Sequence, residues 1–216
     1  MSSVKDEPSR RRYRSSVRAE GAEQTRSRIV RAALAEFLEQ GYVAATVDRI
    51  AARADVSRPT VFALGPKATL LKLARDRAIA GDDDEVAIMD RPEWRQLADA
   101  PDAEGALRAY AAISASILQR FAPVNEVVRQ AATVDPEASE LWQVSERERL
   151  VGARRVVVTV SAKGPLRDGL DRARGSEVLW LLTAPEQYQR LTRDRGWSQR
   201  RFARWHADTM VRLLLP

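Results

Sequence analysis

Cationic and hydroxyl side chains cluster between residues 46 and 60, and such side chains contact the phosphates and base edges of nucleic acids. Thr46 and Ser57 each stand where a helix would begin, so their hydroxyl groups can cap that helix, contact a phosphate, or do both. Arg58 is the only long cationic side chain of the second helix, and it can pair with guanine or with a phosphate. The pattern predicts binding to a polyanion and not a chemical transformation.

Further candidates lie on the outer face of the same two helices. Arg49 is the cationic candidate of the first helix. Pro59, Thr60 and Phe62 can contact thymine methyl groups or the sugar-phosphate edge, although Phe62 can instead pack between helices. These side chains would add apolar contacts to the charged and hydroxyl ones.

Two short predicted helices, residues 47–54 and 58–64, would hold these side chains and cross at the small residue Ala51. The apolar residues at offsets that fix the angle between such helices are Ile50, Ala54, Val56, Val61 and Leu64. Asp55 stands at the corner, where glycine is usual, but aspartate is among the residues that best tolerate a left-handed backbone. The spacing therefore predicts a helix-turn-helix over residues 47–64.

Residues 46–62, T-V-D-R-I-A-A-R-A-D-V-S-R-P-T-V-F, resemble the DNA-binding head of TetR-family regulators, and the similarity extends over about residues 25–73. The family typically has glycine at Asp55 and one more residue in the loop that ends at Gly65. The resemblance implies that Lys67, at the start of a fourth helix, faces a phosphate. The predicted DNA-binding residues are therefore Thr46, Arg49, Ser57, Arg58, Pro59, Thr60, Phe62 and Lys67.

The rest of the chain predicts helices without strands. Apolar spacing indicates further helices at 22–40, 67–80, 104–121, 124–133, 136–160, 175–195 and 198–214. Pro185 should stop and restart the helix in which it lies. The valine run 156–160 has no partner strand nearby, so we interpret it as the end of a helix.

The expected fold is all-α, with about nine to ten helices. A flexible basic arm would occupy residues 1–21. A helix-turn-helix DNA-binding domain would follow at 22–66, and a helical regulatory and dimerisation domain at 67–216.

Positive charge is segregated in the first part of the chain. Residues 1–80 hold 16 lysines and arginines against 9 acidic residues, whereas the remaining residues hold 20 against 21. The arginine-rich start can enter a minor groove or add salt-sensitive attraction, of which the second is the more general effect. A solvated basic tail is the alternative. The distribution indicates that the first part faces double-stranded DNA.

The regulatory and dimerisation domain, residues 67–216, is called the body below. The resemblance implies that it holds a small-molecule effector and pairs with a second copy of the chain. The candidate pocket residues, with core packing as the alternative, are Tyr110, Ile113, Ile117, Trp142 and Trp180. Apolar stripes predict a homodimer interface, with monomer core as the alternative, at Val178, Leu179, Leu182, Phe202, Trp205, Thr209 and Leu213. One DNA-binding head reads only a few base pairs, so adequate specificity requires two heads. Two heads related by a two-fold axis would face a palindromic operator.

Several kinds of chemistry lack the residues that they need. The chain has no cysteine and a single histidine, His206, so we expect no disulfide and no metal site. The acidic run 82–85 lacks the spaced ligands and the glycine of a calcium loop. There is no glycine-rich phosphate loop, nucleophile elbow or acid–base set, so we expect neither enzyme activity nor a cofactor. No apolar run is long enough to cross a membrane.

We therefore expect a bacterial, cytoplasmic, DNA-binding transcriptional regulator, with a dimeric repressor released from a palindromic operator by a small molecule as the specific form. A ligand-independent DNA-binding module is the first alternative, and it differs by having no cavity in the body. A small all-α enzyme is the second alternative.

Overall fold

The structure, a computed structural model, describes the backbone of residues 7–82 and 91–216, and the side chains of those ranges from residue 20 onward. Within these ranges every regular element is a helix and there is no strand, so the predicted all-α class is confirmed. The acidic residues 83–85 lie outside the described ranges.

The first of two compact units is Met1–Ala74. Its helices are α1 (Glu7–Ala44), α2 (Val47–Ala54), α3 (Arg58–Phe62) and the first half of α4 (Lys67–Ala80). We expected the boundary between the units before α4, whereas it lies inside that helix. Leu70, Leu71 and Ala74 are fully buried, so the start of α4 completes the core of the first unit.

Helix α1 begins at Glu7, where the sequence analysis expected a flexible arm up to residue 21. The expectation was wrong from Glu7 onward. Residues 7–21 contain five arginines, which favour helix, and their one proline, Pro8, lies in the first turn, where proline is tolerated. The helical backbone breaks at Gly41, whose φ of 74° and ψ of 171° form a combination that glycine adopts readily and other residues do not.

The second unit is Arg75–Pro216. Beyond the end of α4 it contains α5 (Pro92–Asp99), α6 (Ala103–Ala131), α7 (Pro136–Ser161), α8 (Arg172–Leu182), α9 (Pro185–Gln189), a π-helical turn (Arg190–Asp194) and α10 (Gln199–Leu214). Helix α6 packs against α5, α7, α9 and α10, and α7 packs against α8. Leu107, Val156 and Leu179 lie in its largest core cluster with no exposed surface.

The helices of the second unit break at one of the two prolines where a break was predicted. The helix runs through Pro123, so the expected break there was wrong: Ala122 and Val124 are buried on either side, and tertiary packing outweighs the lost backbone hydrogen bond. The stop and restart at Pro185 is confirmed, since α8 ends at Leu182 and α9 begins at the proline. The valine run 156–160 is helical, as predicted.

Candidate nucleic-acid interface and body cavity

The two short helices α2 and α3 meet at a corner held by backbone geometry. Asp55 is the one non-glycine residue with positive φ among those the structure describes, at φ 52° and ψ 53°. The Val56 amide donates to the Ala51 carbonyl oxygen at 3.1 Å and closes the end of α2. Ile50 and Val61 have no exposed surface, so one face of each helix packs inward. This confirms the left-handed corner expected from aspartate.

Hydroxyl groups cap both helices and remain exposed. The Arg49 amide donates to Thr46 Oγ1 at 3.3 Å, and the Thr60 amide donates to Ser57 Oγ at 3.4 Å. Ser57 Oγ also lies 2.7 Å from Thr60 Oγ1. The capping roles are therefore present, and phosphate contacts by Thr46 and Ser57 stay predictions.

The exposed face of α3 carries Arg58 above the ring of Phe62, with 5.3 Å between the guanidinium carbon and the ring centroid. Arg58 Nε lies 3.4 Å from Asp48 Oδ1, and both side chains are more than half exposed. Phe62 is 50% exposed, so it does not pack between helices. An exposed ion pair of this kind contributes about 0–1 kcal/mol, so Arg58 can exchange it for a group on DNA.

Arg49 shares its neighbourhood with a buried carboxylate. Its Nη1 lies 3.5 Å from Oε1 of Glu36, whose side chain is almost completely buried in the first unit. Arg53 contacts the same carboxylate at 3.8 Å, and its hydrogen bond lowers the pKa of Glu39. These contacts fix α2 against α1. The Arg49 guanidinium stays exposed, although one of its nitrogens already pairs with Glu36.

Lys67, the first residue of α4, has its side chain hydrogen-bonded within the protein. Its ammonium donates to the backbone carbonyl oxygens of Tyr42 at 2.8 Å, Ala45 at 3.4 Å and Val43 at 3.5 Å, and it lies 4.3 Å from the centre of the Tyr42 ring. The phosphate contact of Lys67 stays a prediction, and the ammonium is meanwhile held by carbonyl groups that follow the Gly41 break. Lys67 stabilises the corner between α1 and α2.

The recognition helix α3 ends at Phe62, before the predicted end at residue 64. Its capping residue Ala63 keeps right-handed geometry, and Gly65 then turns the chain at a φ of 125°. A Cβ at Gly65 would lie 3.0 Å from the Thr69 side chain, so the loop requires glycine there. The shorter loop noted in the sequence thus shortens α3 to little more than one turn.

The second unit contains an open cavity of about 460 Å³ between α6 and α7. Tyr110 and Ile117 line it, as predicted for the pocket. Ile113 lines a neighbouring cavity of about 480 Å³, and Trp142 and Trp180 line neither of the two. Trp180 instead packs below Arg149 at 5.3 Å from ring centroid to guanidinium carbon, so for it the alternative of structural packing holds.

Sequence reasoning missed most of the cavity wall. Ser114, Leu118 and Phe121 follow Tyr110 at helical spacing on α6, a signal that was present in the sequence. The α7 side, with Arg147, Val151, Gly152 and Arg155, required knowledge of which helix packs opposite α6. Burial raises the pKa of the Tyr110 phenol to about 12, so this hydroxyl stays neutral at physiological pH.

His206 is buried on α10 beside the same region of α6. Its Nε2 lies 3.0 Å from Ser114 Oγ, its ring stacks on Phe202 at 5.0 Å, and its Nδ1 has no hydrogen-bond partner. Desolvation lowers the pKa of His206 to about 4, so the imidazole is neutral. No group of three or more metal-ligating side chains occurs in the ranges that the structure describes.

The expected dimer stripe divides into buried and accessible residues. Leu179, Leu182 and Phe202 are buried inside the second unit, so their assignment to an interface was wrong, because their surfaces are already used by the core. Val178, Trp205 and Thr209 are half-buried. Leu213 is 46% exposed, and Leu181, which was not predicted, is 55% exposed.

In the described residues no helix is long and apolar enough to cross a membrane.

Two short helices meet at a left-handed corner, and the capped second helix carries arginine and hydroxyl groups on its outer face. This geometry is a helix-turn-helix, a motif typical of DNA-binding proteins. Residues 29–63 match the family model of bacterial regulatory proteins of the tetR family. The matched segment contains α2 and α3, so the similarity to this family falls on the same residues as the helix-turn-helix geometry. A comparison with curated proteins gives no match.

Solved structures share the fold over most of the chain. NalD, the secondary repressor of the MexAB-OprM multidrug efflux pump in Pseudomonas aeruginosa, is 20% identical, with a TM-score of 0.64 over 91% of this chain and 98% of NalD. SmeT in complex with triclosan is 20% identical, with a TM-score of 0.66 over 89% and 92%. A putative TetR-family regulator from Rhodococcus sp. is 15% identical, with a TM-score of 0.65 over 88% and 98%.

Proposed function

We propose that this protein is a TetR-type DNA-binding transcriptional regulator. In its specific form it is a homodimeric repressor that works in the bacterial cytoplasm and leaves a palindromic operator when a small molecule occupies the cavity of the second unit. The observation that carries the proposal is the outer face of α3, where Arg58 lies over exposed Phe62 beside the capping hydroxyls. An apolar ring left half exposed on a basic head is typical of a surface that meets a partner.

On DNA, Arg58 is the residue that reads sequence or anchors α3. Its guanidinium can leave Asp48 and form a bidentate pair with guanine, which is worth about 1–3 kcal/mol of discrimination, or it can bind a phosphate. Thr46 and Ser57 can add phosphate contacts at the two helix starts. Lys67 acts indirectly, by holding the carbonyl groups of Tyr42 and Ala45.

Pairing of two copies would use the accessible part of the last helices. Leu181 on α8 and Trp205, Thr209 and Leu213 on α10 offer apolar surface that the second unit leaves uncovered. Four helices from two protomers can bury such stripes together. The dimer then presents two recognition helices to a palindrome.

Effector control would act through α6 and α4. Ile79, near the end of α4, lines the cavity, and Arg120 of α6 donates to the carbonyl oxygens of Ala78 at 3.2 Å and Ile79 at 3.3 Å. A ligand that binds better to the DNA-incompetent state shifts the population away from DNA. NalD is described as a repressor and SmeT was solved with triclosan, which supports repression and effector binding for this fold.

The test is DNA binding by the full chain, measured as fluorescence anisotropy of labelled promoter DNA from upstream of its own gene across a salt series. Arg58→Ala should reduce the preference for operator over scrambled DNA about tenfold or more. Arg154→Ala, an exposed arginine on α7, is the matched control and should leave this preference unchanged.

A compound library added to the complex tests effector control. Release of the DNA by a compound supports it, and binding without release by any compound favours the ligand-independent module. Absence of operator binding by the unaltered protein would contradict the assignment of the α3 face, and so would equal affinity together with equal preference in Arg58→Ala and Arg154→Ala. A lower affinity of Arg58→Ala with an unchanged preference would assign Arg58 to a phosphate.

A further inference from the structure

Gly152 on α7 lines the body cavity without any structural need for glycine. Its φ is not among the positive values, and a Cβ built on its backbone would meet no atom within 4 Å. Glycine inside a helix destabilises it by about 1 kcal/mol relative to alanine. Neither backbone geometry nor packing within the protein explains this residue, and what its missing side chain provides is room in the cavity.

The charges on the same wall are unequally compensated. Arg149 donates to Glu146 at 2.8 Å and to the Trp180 carbonyl oxygen at 2.7 Å, and Glu148 is hydrogen-bonded to Arg75. Arg147 and Arg155 have no side-chain hydrogen bond or ion pair within the ranges that the structure describes. They lie two helical turns apart on α7, about 12 Å along the axis. The cavity thus has two uncompensated guanidinium groups at its edge.

The opposite wall is apolar and wide enough for a ligand. Tyr110, Ile117 and Phe121 project from α6, and the cavity volume of about 460 Å³ lies in the range of small-molecule sites. Val151, on the α7 side, is 46% exposed although it is apolar. An apolar floor with cationic groups at its edge matches a molecule that is apolar at one end and anionic at the other.

We propose that the effector is an amphipathic anion, whose apolar body lies over Gly152 against the α6 wall and whose carboxylate or sulfonate pairs with Arg147 or Arg155. The inference deepens the proposed function and rests on it for the link between cavity occupation and DNA release. Charge-assisted hydrogen bonds to guanidinium give the anion its advantage over a neutral or cationic molecule of the same length.

Calorimetric titration of the full chain with decanoate, 1-decanol and decylamine tests the charge preference. Decanoate should bind about tenfold or more tightly than either of the others. The double variant Arg147→Gln/Arg155→Gln should remove this preference, and Arg154→Gln, on the same helix but outside the cavity lining, should keep it. Equal binding of decanoate and decylamine, or a preference that survives in the double variant, would overturn the proposal.

The room at Gly152 is tested separately. Gly152→Ala should raise the melting temperature of the ligand-free protein, because alanine favours the helix and meets no neighbour. Gly152→Leu should weaken decanoate binding about tenfold or more while thermal melting shows a folded protein. Undiminished binding in a folded Gly152→Leu variant would refute the role of this residue.

Operator release separates this inference from the proposed function. If decanoate binds with the expected charge preference but operator DNA stays bound, the cavity assignment stands and effector control fails. If a cationic or neutral compound releases the DNA while decanoate does not bind, effector control stands and the anionic class is wrong.

Discussion

The buried imidazole of His206 predicts a defined loss of stability on acidification. The ordinary pKa of 6.5 falls to about 4 in the folded protein, because burial disfavours the charged ring. The folded pKa lies below the unfolded one, so the stabilisation is complete above pH 6.5 and is lost as the pH falls towards 4. The full difference corresponds to about 3 kcal/mol, of which about 2 kcal/mol is lost by pH 5.

The assay is urea unfolding of the wild type and of His206→Gln at one protein concentration between pH 7.5 and 4.5. Glutamine does not titrate and can still hydrogen-bond to Ser114, so carboxylate effects common to both proteins cancel in the comparison. The wild type should lose about 2 kcal/mol more than the variant by pH 5. Parallel stability curves over this range would refute the reasoning.

Three further predictions concern the corner, the lysine and the paired copies. Asp55→Gly should raise the free energy of unfolding by up to about 1 kcal/mol in urea titrations, because glycine adopts positive φ without strain; a lower value would contradict this. Lys67→Ala should lower the melting temperature without changing the salt slope of DNA binding, whereas a slope flatter by about one would show a phosphate contact. Leu213→Glu should convert dimers to monomers in light scattering, while Leu38→Glu, equally exposed on α1, should not; dimers that persist in Leu213→Glu would exclude this stripe.

The parts of the fold that follow local rules were predictable from the sequence. Caps such as Thr46 and Ser57, and the buried spacing of Ile50 and Val61, involve residues only a few positions apart. The break in the helix at Gly41 is also a local feature, because a glycine at the end of an apolar helical pattern is enough to predict it. For this reason the helix-turn-helix and its exposed face could be placed without knowing how the rest of the chain folds.

Features that depend on distant packing were not predictable in this way. Pro123 reads as a helix break, yet the helix continues because its neighbours are buried against other helices. The short helix α5 was not predicted, because its only buried side chains, Trp94 and Leu97, give too short an apolar pattern. The hydrogen bonds of Lys67 to the carbonyl groups near Tyr42 could not be predicted, because they depend on how α4 packs against the end of α1.

In the proposed function, the ion pair between Arg58 and Asp48 affects how the protein searches a genome. A carboxylate oxygen of Asp48 lies 3.4 Å from Nε of Arg58, the residue proposed to contact DNA, so any phosphate backbone that approaches Arg58 also approaches a negative charge. The repulsion is the same on any sequence, whereas a guanine in the right position offers a gain that few sites provide. An equal penalty shortens residence on random DNA and on the operator by the same factor, so the operator keeps its advantage while both residence times fall. Under this proposal Asp48 shortens each stop on random DNA, and the guanine contact of Arg58 sets how much longer the protein stays at the operator.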